Sequence, residues 1–227
     1  MFDPHSVNLA VIEKSAYVRF SVLALSSIFF LVDPFAALPT FLAVTTGQNP
    51  QKRRKTARKA SLTAFVVLTT FAIAGTFIFK MFGITLPAFE IAGGVILLLI
   101  GLDMLEAKRS PTQESSGETA EAASKEDVGI VPLGIPMLAG PGAITSVMVL
   151  VGQAQNPWQV GTIIAAIAIT AVSCYVVLGA ATRVARILGE TGIRILVRIM
   201  GLLLVALAVQ YFVNGMVDLG VLSKPGS

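Results

Sequence analysis

Apolar residues fill six stretches of this chain, at about 17–46, 61–82, 88–105, 130–151, 158–181 and 195–217, and polar residues gather between them. Each stretch is close to or above the roughly 20 residues that span a bilayer as a helix. The pattern predicts an all-α membrane protein of six transmembrane helices. Helices 1 and 4 are expected to be broken at mid-membrane. In the first, Asp33 and Pro34 separate the apolar run 20–32 from the run 35–44, and neither half alone is long enough to cross. Asp suits a helix N-cap and Pro the first helical position, so one helix is expected to stop there and another to start. In the fourth, Gly140-Pro141-Gly142 repeats the device, with Gly140 as the cap and Pro141 at the first position.

The two interruptions are related by a shift. Pro34 and Pro141 are 107 positions apart, and a shift of 108 brings Gly93 onto Gly201. Nearly the same shift carries 61–82 onto the fifth stretch. Each half then holds three spans, an odd number, so the halves insert with opposite topology, as in many secondary transporters. The expected organisation is a single membrane domain over 1–227. Repeat one covers 16–106, a flexible hydrophilic linker 107–128, and repeat two 129–217.

Composition agrees with the pattern. The chain is 55% hydrophobic and 13% charged, with mean hydropathy +0.80, whereas soluble domains are about 25% charged. The net charge of +4 is gathered at helix ends and is no signature of nucleic-acid binding. Cys174 is alone, which excludes an intramolecular disulfide and a Cys-based metal site; His5 reads as a surface residue of the tail. No cleavable signal peptide is expected. No P-loop, metal-ligand spacing or nucleophile–base motif appears, so neither an enzyme nor a cofactor is expected. The basic residues take sides. The run 52–59, Lys108, Arg109, Lys125, Arg183, Arg186, Arg194 and Arg198 fall in alternate connections, against Lys14, Arg19, Lys80 and Lys224 on the other side. Lys and Arg favour the cytoplasmic side, which predicts both termini outside and a cytoplasmic linker. Anionic lipid is a secondary reading of the 52–59 run.

The candidate chemistry lies at the breaks. A helix N-terminus offers free N–H groups and roughly half a positive charge, and two such ends converging near the midplane suit a carboxylate. Glycine at 140 and 142 lets a ligand approach the backbone. Asp33 supplies the opposite charge, and an intramembrane acid costs roughly 2.5–3.5 kcal/mol on insertion scales unless it faces a cavity or a partner. The match is a small zwitterion, its ammonium at Asp33 and its carboxylate at the breaks. The candidate substrate-binding residues are Asp33, Pro34, Phe35, Gly140, Pro141, Gly142, Thr145 and Ser146. Structural readings stand beside this one: Asp33 as a cap alone, Gly140-Pro141-Gly142 as a kink alone, Thr145 and Ser146 as helix packing. Asp103 and Gln210 are candidate gate or cavity residues. Glu90 and Arg198 lie about one turn inside their helices, within reach of the interface. Gly93, Gly94, Gly101 and Gly201 read as close-packing positions.

Three stretches carry a resemblance: Asp33-Pro34-Phe35-Ala36-Ala37-Leu38-Pro39; Phe82-Gly83-Ile84 with Ile91-Ala92-Gly93-Gly94; and Val131-Pro132-Leu133-Gly134-Ile135-Pro136-Met137-Leu138-Ala139-Gly140-Pro141-Gly142-Ala143-Ile144. They resemble the MarC family of membrane proteins over nearly the whole chain outside the tails and the linker. Two positions depart from the family pattern: Ala36, where Gly is frequent, and Glu90, where a basic residue is common. The resemblance implies a small transporter of the LysE type in a prokaryotic plasma (inner) membrane, with relatives linked to small neutral amino acids. Its expected partners are a small-molecule substrate and the lipid bilayer, with no nucleic acid; oligomeric state stays open. A carrier, a passive channel or facilitator, and a non-transporting scaffold are all compatible with the sequence.

Overall fold

The structure, a computed structural model, describes residues 4–106 and 128–223. The linker expected at 107–128 lies outside the described residues except for Val128. Every regular element among the described residues is helical. The helices are α1 (Pro4–Val32), α2 (Leu38–Val44), α3 (Pro50–Phe82), α4 (Leu86–Leu105), α5 (Pro141–Gln153), α6 (Pro157–Gly179) and α7 (Ala181–Asp218), with a π-helical segment over Leu133–Leu138 before α5. Four of them, α3, α4, α6 and α7, are long and apolar enough to cross a membrane; Tyr17–Val32 and α5 are shorter apolar helices. Large apolar side chains point outward, among them Ile73 (69% exposed), Phe77 (67%) and Leu202 (60%). On a soluble monomer such a surface would promote association, whereas acyl chains satisfy it.

Local chemistry sets the helix ends. Asn49 Oδ1 accepts from Lys52 N–H at 2.8 Å, with Pro50 at the first position of α3. The basic run 52–59 is therefore the opening of one continuous 33-residue helix, not a loop leading into a span. Gly83, at φ 64°, closes that helix in the left-handed conformation that glycine tolerates. Thr85 caps α4. The connector expected around 183–194 is also helical and belongs to α7, which breaks only at Gly189 (φ 62°, ψ 178°). α1 likewise reaches back to Pro4, through residues expected to form a tail.

The fourth stretch departs most from expectation. Its first half is not an α-helix. Pro132 and Pro136 lack N–H groups and fix φ. The intervening backbone bonds five residues back instead: Ile135 to Ile130 at 2.9 Å, Met137 to Pro132 at 3.2 Å and Ala139 to Gly134 at 3.0 Å. Regular helix begins only at Pro141, with Gly140 as its cap.

Packing directions can be read from the glycines. α4 and α7 form the most extensive helix pair. A Cβ built on Gly94 would lie 2.9 Å from the Ala208 carbonyl oxygen, one on Gly101 3.0 Å from that of Gly201, and one on Gly215 2.8 Å from that of Pro87. Each step of seven along α4 matches seven back along α7, so the helices are antiparallel and touch backbone to backbone. Thr63 sits against Gly134, and Met148 against Gly75; α3 therefore runs parallel to the π segment and α5. Tyr17 and Phe20 stack edge-on against Trp158, at 4.3 and 5.8 Å between centroids, and farther along Asp33 is in electrostatic range of Cys174. So α1 runs parallel to α6.

Candidate functional site

At the first break α1 ends at Val32 and Asp33 takes φ 40°. This left-handed conformation is sparsely populated outside glycine, and Asp and Asn tolerate it best. Asp33 Oδ1 accepts from Phe35 N–H at 3.2 Å and Ala36 N–H at 3.1 Å. The carboxylate thus caps as expected, but it caps a turn over 34–37. The helix restarts at Leu38, with Pro39 in its first turn and no side-chain cap bond from Ala37. Pro34 therefore lies in that turn and not at the first position of a helix. Asp33 is 6% exposed, and its Oδ2 has no hydrogen-bond partner among the described residues.

At the second break Gly140 adopts φ −77°, ψ 170° and carries no side-chain cap. Ile144 N–H reaches Gly140 O at 3.0 Å. Pro141 has no N–H, so the amides of Gly142 and Ala143 are left without intrahelical acceptors. The structure brings the two breaks together: a Cβ on Gly142 would lie 3.7 Å from Leu31 Cδ2. It would also lie 2.8 Å from Leu97 Cδ2 of α4, so Leu97 covers the α5 N-terminus. Pro34, Gly140 and Gly142 are buried, Phe35 and Pro141 half-buried. Asp33 at the first break and Gly142 at the second are both buried in this conformation.

Thr145 and Ser146, one turn into α5, are both buried. Thr145 Oγ1 donates to Pro141 O at 2.8 Å, and its methyl fills the hollow left by Gly93 of α4. This residue is committed to packing. Ser146 Oγ points toward the Tyr211 hydroxyl of α7 but meets hydrogen-bond geometry with no group among the described residues. Asp103 is half-buried in the last turn of α4, three residues beyond Ile100, which also lines Gly142. Gln210 is exposed on α7, and its amide donates to Asn214 Oδ1 at 2.7 Å. It braces its own helix and does not face an internal cavity.

The Thr145–Gly93 contact makes a prediction. A Cβ on Gly93 would overlap the Thr145 Cγ2 methyl, so Gly93→Ala should lower stability by about 1–3 kcal/mol. Thr145→Ser removes that methyl and should restore most of the loss in the double variant. Thermal unfolding of the four detergent-solubilised proteins measures the coupling; additive losses would rule the contact out.

Two further residues have surroundings that the sequence did not predict. Glu90, expected to reach the interface, is fully buried and accepts from Gln153 Nε2 at 2.9 Å, with its Oε2 unpartnered among the described residues. Its acidic character within an apolar run was visible in the sequence. Its pairing with a residue 63 positions away was not. Cys174, within electrostatic range of Asp33, carried no signal beyond being apolar and buried.

Comparison with known proteins agrees with the membrane architecture. Residues 18–219 match the family described as MarC family integral membrane protein. A UPF0056 membrane protein of Methanocaldococcus jannaschii is 40% identical over 198 residues, covering 87% of this chain and 96% of the relative. One of Pyrococcus abyssi is 38% identical over 188 residues, covering 83% and 90%. The Escherichia coli K12 protein YhcE is 35% identical over 188 residues, covering 83% and 87%. No solved structure matches the chain. A family match over nearly all the described helices, joined to an apolar helical surface fit for lipid, makes this chain a multi-pass integral membrane protein of the MarC family.

Proposed function

We propose that the protein is a secondary carrier of small zwitterionic metabolites, neutral amino acids foremost, with its site between the two interrupted helices. One observation carries this reading. The end of α1 and the start of α5 touch, and they present an unpartnered carboxylate oxygen of Asp33 and the uncapped amides of Gly142 and Ala143. An ammonium group would pair with Asp33 Oδ2, and a carboxylate would accept from the α5 amides. Pro34 and Phe35 shape one side of that site, Gly140 and Pro141 the other, and Ser146 lies one turn farther along α5.

Helix directions support six spans in two inverted repeats. α1 lies along α6 and α3 lies along the π segment and α5, each pair parallel, while α4 and α7, the third spans, are antiparallel. The registers agree as well. Shifted by 107, Asp33 and Cys174, which lie within electrostatic range of each other, become Gly140 and Val67. Eight residues farther along each of those helices stand Met148 and Gly75, which are in contact. Alternating access would rock the halves against each other across the α4–α7 seam. The described conformation is a closed one, and Leu97 must withdraw from Gly142 for substrate to reach the amides. The positive-inside distribution supports outward termini and a cytoplasmic linker.

Counterflow in proteoliposomes tests the reading. Protein loaded with unlabelled neutral amino acid should accumulate labelled substrate against its gradient, and Asp33→Asn should reduce the rate at least tenfold. Dissipation without transient accumulation would identify a passive facilitator. An unchanged rate in the variant would remove Asp33 from the mechanism, and no flux of any kind would leave the scaffold reading. Cys174 gives an independent readout, since it is buried within electrostatic range of Asp33 and is the chain's one thiol. Its alkylation by a small permeant maleimide should proceed in cycling protein and slow when substrate is bound.

A further inference from the structure

A cavity of about 550 Å³ opens at the end of the bundle where α2 passes to α3 and α6 passes to α7. Arg53, Arg54, Arg183 and Arg186 line it, together with Tyr175 and Thr182. No carboxylate is among its lining residues. Its size falls in the range of small-molecule sites.

The arginines are arranged beyond what membrane orientation demands. Orientation requires only that Lys and Arg accumulate on one side. Here two segments some 130 residues apart converge on one cavity. From the run Lys52-Arg53-Arg54-Lys55 the two arginines line it, and neither lysine does. Arg53 is held in place: its Nη1 donates to Thr182 Oγ1 and its Nη2 to Thr45 O. Its Nε is buried without a hydrogen-bond partner among the described residues. Among those residues Arg54, Arg183 and Arg186 join no salt bridge, while Arg194, outside the cavity, is paired with Glu190. Four like charges in one concave site repel one another until an anion enters. Guanidinium forks match the oxygens of phosphate and bind them bidentately. Four positive charges exceed what a single carboxylate neutralises. Val176, Pro50 and Gly179 add an apolar wall against which a glycerol or similar organic portion can rest.

We infer that this cavity binds a phosphate-bearing ligand, a phosphate mono- or diester held by Arg53, Arg54, Arg183 and Arg186. The site is separate from the zwitterion site at the helix breaks and does not rest on the transport reading. Its ligand is either a soluble phosphorylated compound or the headgroup of an anionic phospholipid.

The test uses the full chain, purified in an uncharged detergent and titrated separately with inorganic pyrophosphate and with short-chain dihexanoyl phosphatidylglycerol. Thermal shift and native mass spectrometry are the readouts. Saturable binding of at least one probe is expected. The triple variant Arg54→Gln, Arg183→Gln, Arg186→Gln should weaken it at least tenfold. The charge-matched control Lys52→Gln, Lys55→Gln, Arg58→Gln, on residues that do not line the cavity, should weaken it less than twofold. Binding of pyrophosphate alone assigns a soluble ligand, binding of the lipid alone assigns a headgroup, and binding of both assigns the shared phosphate chemistry. No saturable binding of either, or equal losses in variant and control, overturns the proposal. If the triple variant does not fold, Arg186→Gln alone, at an exposed position, replaces it, with at least a threefold loss expected.

Discussion

Gly201→Val is expected to cost about 3 kcal/mol, the upper part of the range for overpacked positions. A Cβ at Gly201 would lie 2.9 Å from the Gly101 carbonyl oxygen, 2.9 Å from Met104 Cβ and 3.1 Å from Leu105 N. These are backbone atoms and a Cβ, and none can swing aside as the end of a flexible side chain would. The only relief is separation of α4 from α7, which would also loosen Gly94 against Ala208 and Gly215 against Pro87, because the three contacts repeat every seven residues along rigid helices. In lipid, where burial of apolar surface supplies no net drive between helices, such close backbone approach is what holds the pair. The loss should appear as a fall on the order of 10 °C in the unfolding midpoint of the purified protein. Gly161→Val is the control. That glycine is exposed on α6, and a Cβ there meets nothing within 4 Å, so its effect should stay within about 0.5 kcal/mol. Equal midpoints for the two variants would mean that α4 and α7 do not pack through Gly201.

Asp33→Ala should destabilise the protein by about 2–3 kcal/mol, and Asp33→Asn by less than about 1 kcal/mol. The alanine variant loses the acceptor of two backbone N–H groups, at 3.2 and 3.1 Å, a loss typically worth about 1 kcal/mol for a cap. It also holds φ 40° with a side chain that disfavours the left-handed region by roughly 1–2 kcal/mol. Asparagine keeps an oxygen acceptor in the same place and tolerates the same backbone. What asparagine removes is the charge and the second acceptor oxygen, which an amide donor replaces. Comparing the two therefore separates the structural role of Asp33 from its proposed part in transport: the alanine variant should fail in both unfolding and flux, the asparagine variant in flux only. Matched stabilities for the two substitutions would show that neither the turn bonds nor the backbone conformation depends on this side chain.

Much of this architecture was legible in one dimension. The apolar runs marked the membrane helices because a bilayer demands a set length of continuous apolar sequence. The start of α3 at Asn49-Pro50 was not legible, since its first turns are polar and basic and the apolar run opens only at 61; where breaks were legible, it was because capping is decided by neighbouring residues. Asp33-Pro34 and Gly140-Pro141 marked the interruptions for the same reason. Close packing at Gly93, Gly94, Gly101 and Gly201 could be expected from residue size. The finer form of the first break could not. Asp33 caps a turn because its backbone takes a left-handed conformation, and no propensity forces an aspartate there; the surrounding packing holds it. The irregular backbone over 131–139 was not read from the apolar run either, and the i to i−5 bonding that satisfies it around Pro132 and Pro136 became visible only in three dimensions.

Which residues face one another was settled by the tertiary structure alone. The contact of Leu31 with Gly142, the bond from Gln153 to Glu90, the hold of Arg53 on Thr182 and the seven-residue seam between α4 and α7 join positions distant in the chain. The sequence by itself determined a helical membrane protein with two interrupted apolar stretches, since length, hydropathy and capping are local properties. Folding decided that those interruptions meet, that Leu97 packs over Gly142 and that four arginines share one cavity. Such outcomes depend on side-chain volumes filling a common space, which no stretch of the chain carries on its own.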